Sequence, residues 1–383
     1  MAIGLHMSFD LAAELWDEDD LHIGAGLPQG FTEHALVQHH ESVLMVPLGP
    51  RKARGATPHR WTDNMSVPSV LARLAFGWGL RTGVAAPLLR DRIGIRTSRG
   101  NGRHQTFHEY LADVFGVPEV VVAGTWGPPR PNRKPVLRVF DVTGETMGFA
   151  KVGWNELTKE LVATEAGFLG THPRTQTIRL PGLIHFGEWQ GRTVSVTGAA
   201  LGSVPVRSAQ RPGPDVMTEV AGLSDRYRTR VDTSPYWLLL RSRIAELDRD
   251  SVGKPIQLIE DHGDLELEFG HWHGDWTPWN MNSTDDRPVV WDWERTSGDI
   301  PVGFDTIHYL FHSAMSAGRP PETALAGAVG PARADLALLG TRRDDVDVIA
   351  LLYALEMSAR FRATPLPWLD ALLGAACASI GSG

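Results

Sequence analysis

The segment His273-Gly274-Asp275-Trp276-Thr277-Pro278-Trp279-Asn280 sets an aspartate and an asparagine five residues apart, and Trp291-Asp292-Trp293-Glu294 places a second aspartate seventeen residues after the first. Two carboxylates and an amide in this order suit phosphoryl transfer from ATP. One carboxylate accepts or orients the proton of an attacking hydroxyl, while the amide oxygen and the other carboxylate hold Mg²⁺ against the phosphates. The Asp275-to-Asn280 separation fits a short loop that turns back on itself, with Pro278 helping to fix the turn. Pro288-Val289-Val290-Trp291 is an apolar run that reads as a short strand delivering Asp292 to the same place.

A third element follows in Gly298-Asp299-Ile300-Pro301 and Gly303-Phe304-Asp305. In these three elements the chain resembles the aminoglycoside phosphotransferase and choline kinase-like family, small-molecule relatives of the protein kinases. That family's pattern is H-G-D-x-x-x-x-N, a strand ending in D-W or D-W-E, then G-D-P and F-D before a helix. Ile300 is inserted relative to it. The resemblance implies an α+β, bilobal protein kinase-like fold with an antiparallel-sheet N-lobe and a mainly helical C-lobe. It also implies ATP and Mg²⁺ as cofactors, Asp275 as catalytic base, and Asn280 and Asp292 as metal ligands.

His262-Gly263-Asp264 spells the same tripeptide eleven residues earlier, but Phe269 stands where the asparagine should be. Hard cations take oxygen ligands, so this copy lacks the chemistry. Asp261, Asp264, Glu266 and Glu268 read as a solvated acidic loop, with an acidic wall facing a cationic substrate as the sharper alternative. His273 is expected to brace the loop rather than act as base. His271 and His273 form a His-x-His pair without further ligands at sensible spacing, a poor zinc site.

Upstream, residues 116–204 read as a nucleotide-binding lobe. Val120–Ala123, Val136–Phe140 and Met147–Val152 are β-branched and apolar, hence strands. The loop Gly124–Lys134 lies where kinase-like folds cover the phosphates; Arg130, Arg133 and Lys134 either meet phosphate or merely decorate a hairpin. Lys151 follows small and apolar strand residues. A helix opened by Asn155 as N-cap should carry Leu157, Leu161, Glu165, Phe168 and Leu169 on one face. A carboxylate on an apolar stripe is costly unless paired, which makes Lys151 the partner of Glu165 in binding ATP, with Glu160 the rival. Leu180–Glu188 and Arg192–Thr197 complete the sheet, and Thr197–Gly202 resembles the adenine-binding hinge.

From about Pro205 to residue 383 the periodicity is helical, over Val216–Leu223, Ser234–Leu247, Gly303–Ser316, Val346–Phe361 and Trp368–Ile380. Residues 1–115 form an N-terminal cap region, read as small α/β, with a strand at Ser42–Val46, a basic loop over Arg51–Gly55 and Thr57–Arg60, and an amphipathic helix or helix pair over Val67–Leu89. Contact with a partner protein or a membrane surface through this region is the alternative to plain packing. The tryptophans beside the motif suggest an aromatic cage or, for Trp291 and Trp293, core packing.

Of 383 residues 42% are hydrophobic and 21% charged, the balance of a globular protein, and the net charge of −8 speaks against nucleic acid as a partner. One cysteine, Cys377, permits no intrachain disulfide. With no signal-like start and no bilayer-length apolar run, the expected location is the cytoplasm. The expected activity is a small-molecule kinase with a hydroxyl acceptor; the alternative is a pseudokinase-like module that binds nucleotide and a partner protein.

Overall fold

Short β-branched runs separated by turn residues build one large antiparallel sheet from the first half of the chain. The computed structural model describes residues 11–12, 14–23, 26–39, 41–58, 67–85, 89, 91–98, 104–199, 211–283, 287–364 and 366–380. Two compact units result. One is built mainly from residues up to His172 and again from Leu180 to Val206; the other from Pro173–Arg179 and from Arg207 to the end.

The first unit contains β1 (Leu21–His22), β2 (Phe31–His39), β3 (Ser42–Pro47), α1 (Arg51–Ala56), α2 (Val67–Thr82), β4 (Arg92–Arg96), α3 (Phe107–Phe115), β5 (Val121–Trp126), β6 (Val136–Phe140), β7 (Thr146–Gly153), α4 (Glu156–Gly170), β8 (Leu183–Trp189) and β9 (Arg192–Gly198). Its strands pair in the order β1-β4-β2-β3-β5-β6-β7-β9-β8. The strands before residue 116 extend the same sheet, because β3 pairs antiparallel with β5 through Val43↔Trp126 and Leu44↔Thr125. Arg51–Gly55, expected as a loop, is helical. Gly55 lets α1 lie close against α2, since a Cβ there would lie 2.6 Å from the Arg81 Cβ. His59 and Arg60 lie outside the described residues. On α2, Leu74 and Trp78 of the expected apolar face are exposed.

The core of this unit includes two buried histidines. His34 donates from Nε2 to the Val122 carbonyl at 3.1 Å, and His108 stacks on Trp16. Burial pushes the first down to about 4 and the second to about 3. Both rings are therefore neutral in the folded protein near neutral pH. Unfolded histidine titrates near 6.5, so below that pH the unfolded chain takes up protons that the folded chain refuses. Stability falls from about pH 6.5 downward, by up to about 1.4 kcal/mol per pH unit for each ring until its folded pKa is reached. His108→Phe should thus lose less stability between about pH 7 and 5 than the wild type in denaturant titrations; an equal loss would refute this.

The second unit contains α5 (Pro214–Ala221), β10 (Tyr227–Arg230), α6 (Pro235–Ile244), α7 (Arg249–Asp261), β11 (Glu266–Trp272), β12 (Met281–Ser283), β13 (Pro288–Val290), β14 (Ser297–Pro301), α8 (Phe304–Ser316), α9 (Pro321–Ala337), α10 (Asp345–Arg360) and α11 (Leu369–Ile380). The five expected helices are α5, α6, α8, α10 and α11. Helices α7 and α9 contain Pro255 and Pro331, residues that usually interrupt a helix by removing an N–H donor. Packing overrides that penalty: Ile259 on α7 and Ala328, Ala332 and Leu336 on α9 join the core built around α10. Helix α10 is buried at every position from Asp345 to Ala359. Among the described residues the fold is α+β, with the sheet in one unit and most of the helix in the other.

Candidate active site

Strand β11 is held between β10 and β14 and runs directly into His273-Gly274-Asp275. Gly274 is required here. Its φ is +83°, and a Cβ would lie 2.1 Å from the Arg295 carbonyl oxygen. Helix α8 grips the loop from below: the Asp305 carboxylate accepts from the His273 N–H at 2.7 Å and from the Gly274 N–H at 3.2 Å. Burial pushes Asp305 up to about 7, against the lowering effect of those two donors and of Arg360. Arg360, at the end of α10, donates to the Gly274 carbonyl at 2.6 Å and lies over the Trp272 ring.

His273 braces the loop, as expected. The Asp275 N–H lies 3.2 Å from its Nδ1, so Nδ1 accepts and Nε2 donates to the Trp291 carbonyl at 3.0 Å. That bond ties the loop to the strand end that precedes Asp292. The buried Trp293 ring lies 4.4 Å from the His273 ring, so Trp293 packs rather than lining a cage, and Trp276 and Trp272 are likewise buried. His271 pairs instead with the Thr296 hydroxyl at 2.6 Å, and burial pushes it down to about 4. Among the described residues no group of three His, Cys, Asp or Glu is placed to hold a metal.

Asp275 leaves the loop with its side chain 36% exposed. Asn280 turns back onto it: the amide nitrogen donates to the Asp275 backbone oxygen at 2.8 Å and to Oδ2 at 3.1 Å. The amide oxygen is then the branch directed away from Asp275. The hairpin β12–β13, paired through Met281↔Val290, brings the chain back, and the Trp291 N–H donates to the Asn280 carbonyl at 3.0 Å. Asp292 follows with φ +72°, a left-handed conformation that a non-glycine residue adopts at a cost and that recurs where a side chain must be aimed. Burial raises the Asp275 pKa, and the negative charge of Asp292 raises it further. Asp275, Asn280 and Asp292 are therefore gathered in one place.

Asp264 is not part of this group. It is exposed in the turn before β11, at the opposite end of that strand from Asp275. Phe269 is fully buried, and Glu268 pairs with Arg226 at 2.6 Å. Asp299, in the third motif element, lies beside Tyr227 rather than Asp275.

In the other unit, β7 alternates. Ala150 and Val152 face the core, while Lys151 lies on the opposite face, toward α4. Its Nζ is 2.6 Å from Glu165 Oε2, and the Glu165 side chain is 3% exposed. Asn155 caps α4 in a reciprocal box with Thr158. The buried stripe is Leu161, Val162, Glu165, Ala166 and Leu169; Leu157 is turned outward and Glu160 is exposed. Arg133, a candidate for phosphate, is instead ion-paired with Glu14. Of the expected hinge, Gly198 ends β9, and residues 200–202 lie outside the described residues.

Several residues around Asp275 escaped the sequence reading. Asp305 was visible only as a motif letter. His308 and His312 follow it at spacings of three and four on α8, a shared helix face that the sequence displays. Arg360 and Tyr353 come from α10, some eighty residues beyond the loop, and no local pattern announces them.

No protein-family model matches the chain, and no curated protein matches it. Among solved structures it is similar to a thermostable mutant of aminoglycoside phosphotransferase APH(4)-Ia, with 15% identity, a TM-score of 0.48, and 72% of this chain and 99% of that chain covered. It is also similar to an aminoglycoside 2'-phosphotransferase-IIIa mutant in complex with GDP, with 12% identity, a TM-score of 0.46, and 71% and 95% covered. A choline/ethanolamine kinase family protein from Mesorhizobium loti shows 14% identity, a TM-score of 0.34, and 65% and 85% covered.

Proposed function

We propose that the chain is an ATP- and Mg²⁺-dependent phosphotransferase acting on a hydroxyl of a small molecule such as an aminoglycoside, another sugar or an amino alcohol. One observation carries this most: Asn280, folded back on Asp275, leaves an amide oxygen for a cation beside a carboxylate whose side chain is partly exposed. Asp275 accepts the acceptor's hydroxyl proton as that oxygen attacks the γ-phosphorus and the bond to the ADP oxygen breaks. Its raised pKa makes it a better proton acceptor than a free carboxylate.

Magnesium fits the donors present. Asn280 and Asp292 supply hard oxygens, and Mg²⁺ is commonly held by one or two protein side chains together with phosphates rather than by a full protein cage. When bound it neutralises phosphate charge. Lys151, oriented by Glu165, is assigned to the ATP phosphates. Its two charges act together, so Lys151→Ala and Glu165→Ala should each reduce kcat/KM for ATP at least about tenfold, with the double variant little worse than either single. Additive losses in that cycle would mean that the two residues act separately.

The direct test is ATP consumption by the full chain with Mg²⁺ against panels of aminoglycosides, sugars and amino alcohols. One acceptor class should stimulate ADP release and gain a phosphate, detected by mass. Absence of ATP turnover across every panel, with and without acceptor, would remove the proposal.

A further inference from the structure

Asp275 has a polar neighbour at each carboxylate oxygen, and only one of the two belongs to the motif. Asn280 holds Oδ2; the other oxygen, Oδ1, faces the Nε2 of His308 at 3.3 Å. On the far side of that ring, Nδ1 lies 3.0 Å from the Tyr353 hydroxyl. The His308 side chain is 2% exposed and Tyr353 is fully buried. We infer that Tyr353 and His308 form a positioning pair for the catalytic carboxylate: Tyr353 fixes the imidazole tautomer, and the Nε2–H of His308 holds Asp275 in the orientation that meets the acceptor hydroxyl. The positioning role rests on the assignment of Asp275 as base; the tautomer does not.

The tautomer follows from the partners. A neutral imidazole has one N–H and one lone pair. Nε2 faces a carboxylate oxygen, and with Asp275 ionised that oxygen can only accept, so the proton resides on Nε2. Nδ1 is then the acceptor, and the phenol, able to donate or accept, donates to it. The opposite arrangement would turn a lone pair toward a carboxylate and leave the buried N–H to the phenol alone. Burial supports the neutral forms on both sides. It holds His308 well below the usual histidine range, helped by the positive charge of Arg360, and it pushes the Tyr353 phenol upward. The groups facing the pair come from three elements. His312 and Asp305 lie on α8 itself, Arg360 on α10, and His273 and Asp275 on the loop after β11.

Helix geometry explains why α8 can do this. Asp305 and His308 are three residues apart and share a face. Asp305 takes the backbone N–H groups of His273 and Gly274, while the buried Nε2 of His308 lies 3.3 Å from the side chain of the next residue, Asp275. The same turn of helix thus sets both the loop backbone and the carboxylate rotamer. Releasing Oδ1 leaves Asp275 tied only through Asn280 and free to rotate. A small error in the orientation of a base costs turnover without weakening ATP binding.

The test has two arms on the full chain. In the first, long-range ¹⁵N NMR of histidine-labelled protein at neutral pH should show His308, assigned by the loss of its signals in His308→Gln, as the neutral Nε2–H tautomer. Tyr353→Phe should shift that signal toward mixed tautomers. An Nδ1–H tautomer or an imidazolium at this position would overturn the inference. In the second arm, the glutamine carboxamide of His308→Gln reaches the Nε2 position and donates there, whereas His308→Asn reaches only the Nδ1 position and His308→Leu donates nowhere. His308→Gln should therefore stay within about fivefold of wild-type kcat, while the Asn and Leu variants lose at least about thirtyfold with KM for ATP unchanged. Equal losses in all three, as for simple packing, would overturn it. Failure of the phosphotransferase proposal appears differently, as wild-type protein that turns over no ATP although His308 has the expected tautomer.

Discussion

Asp275→Asn is expected to lower kcat by about three orders of magnitude while the thermal midpoint stays near that of the wild type. The substitution preserves size and the hydrogen bond at one oxygen but removes the group that takes the hydroxyl proton. Burial and the nearby Asp292 already raise the proton affinity of this carboxylate, and an amide has no comparable affinity. The same change at Asp264 is the internal control. Asp264 carries the identical His-Gly-Asp context, yet it sits exposed in the turn before β11. Asp264→Asn should leave kcat within about tenfold and at most raise KM for a cationic acceptor, as expected for lost binding alone. Steady-state kinetics of both variants decide the matter. Damage at Asp264 with Asp275 unaffected would reverse the assignment.

Removing Asp292 should have a comparable effect by a different route. Asp292→Ala is expected to abolish Mg²⁺-dependent ATP turnover, because it deletes a charged oxygen donor next to Asn280. Its backbone φ of +72° means that alanine also adds strain there, of order 1–2 kcal/mol. Asp292→Asn separates the two effects, since asparagine tolerates the left-handed conformation and differs mainly in charge. That variant should keep the wild-type thermal midpoint and still lose at least about a hundredfold in turnover, with the loss partly relieved at high Mg²⁺. Wild-type turnover in either folded variant would reject Asp292 as a metal ligand.

The candidate site was legible in the sequence to the extent that its members are close in the chain. The five-residue gap from Asp275 to Asn280 is a local loop, and the apolar run before Asp292 is a strand that can only return beside it. Lys151 and Glu165 were legible for a second reason. Strand alternation and helix periodicity place each on a definite face, and a carboxylate on a buried face requires a cation. The same reasoning placed Leu157 on that face, where it failed. The buried stripe is turned by about one residue: Thr158 is buried beside Leu161, Leu157 is exposed, and Val162 joins the stripe.

Helices α7 and α9 show the opposite case, in which burial of an apolar face outweighs a local penalty at Pro255 and Pro331. Arg133 shows another: its charge suggested phosphate, but Glu14, more than a hundred residues away in sequence, holds it. Nor did local pattern connect residues before 116 with the sheet, because β3 meets β5 only through long-range pairing.

By itself the sequence determined the chemistry on offer, namely two carboxylates, an amide and a lysine–glutamate pair, because residue type and short spacing decide what a loop or a helix face can present. Tertiary structure decided what holds those groups in place. Asp305, His308 and Arg360 reach the loop from α8 and α10, and Tyr353 of α10 backs His308. Their roles depend on buried donors and acceptors finding one another across the core, and that pairing exists only once the helices have packed.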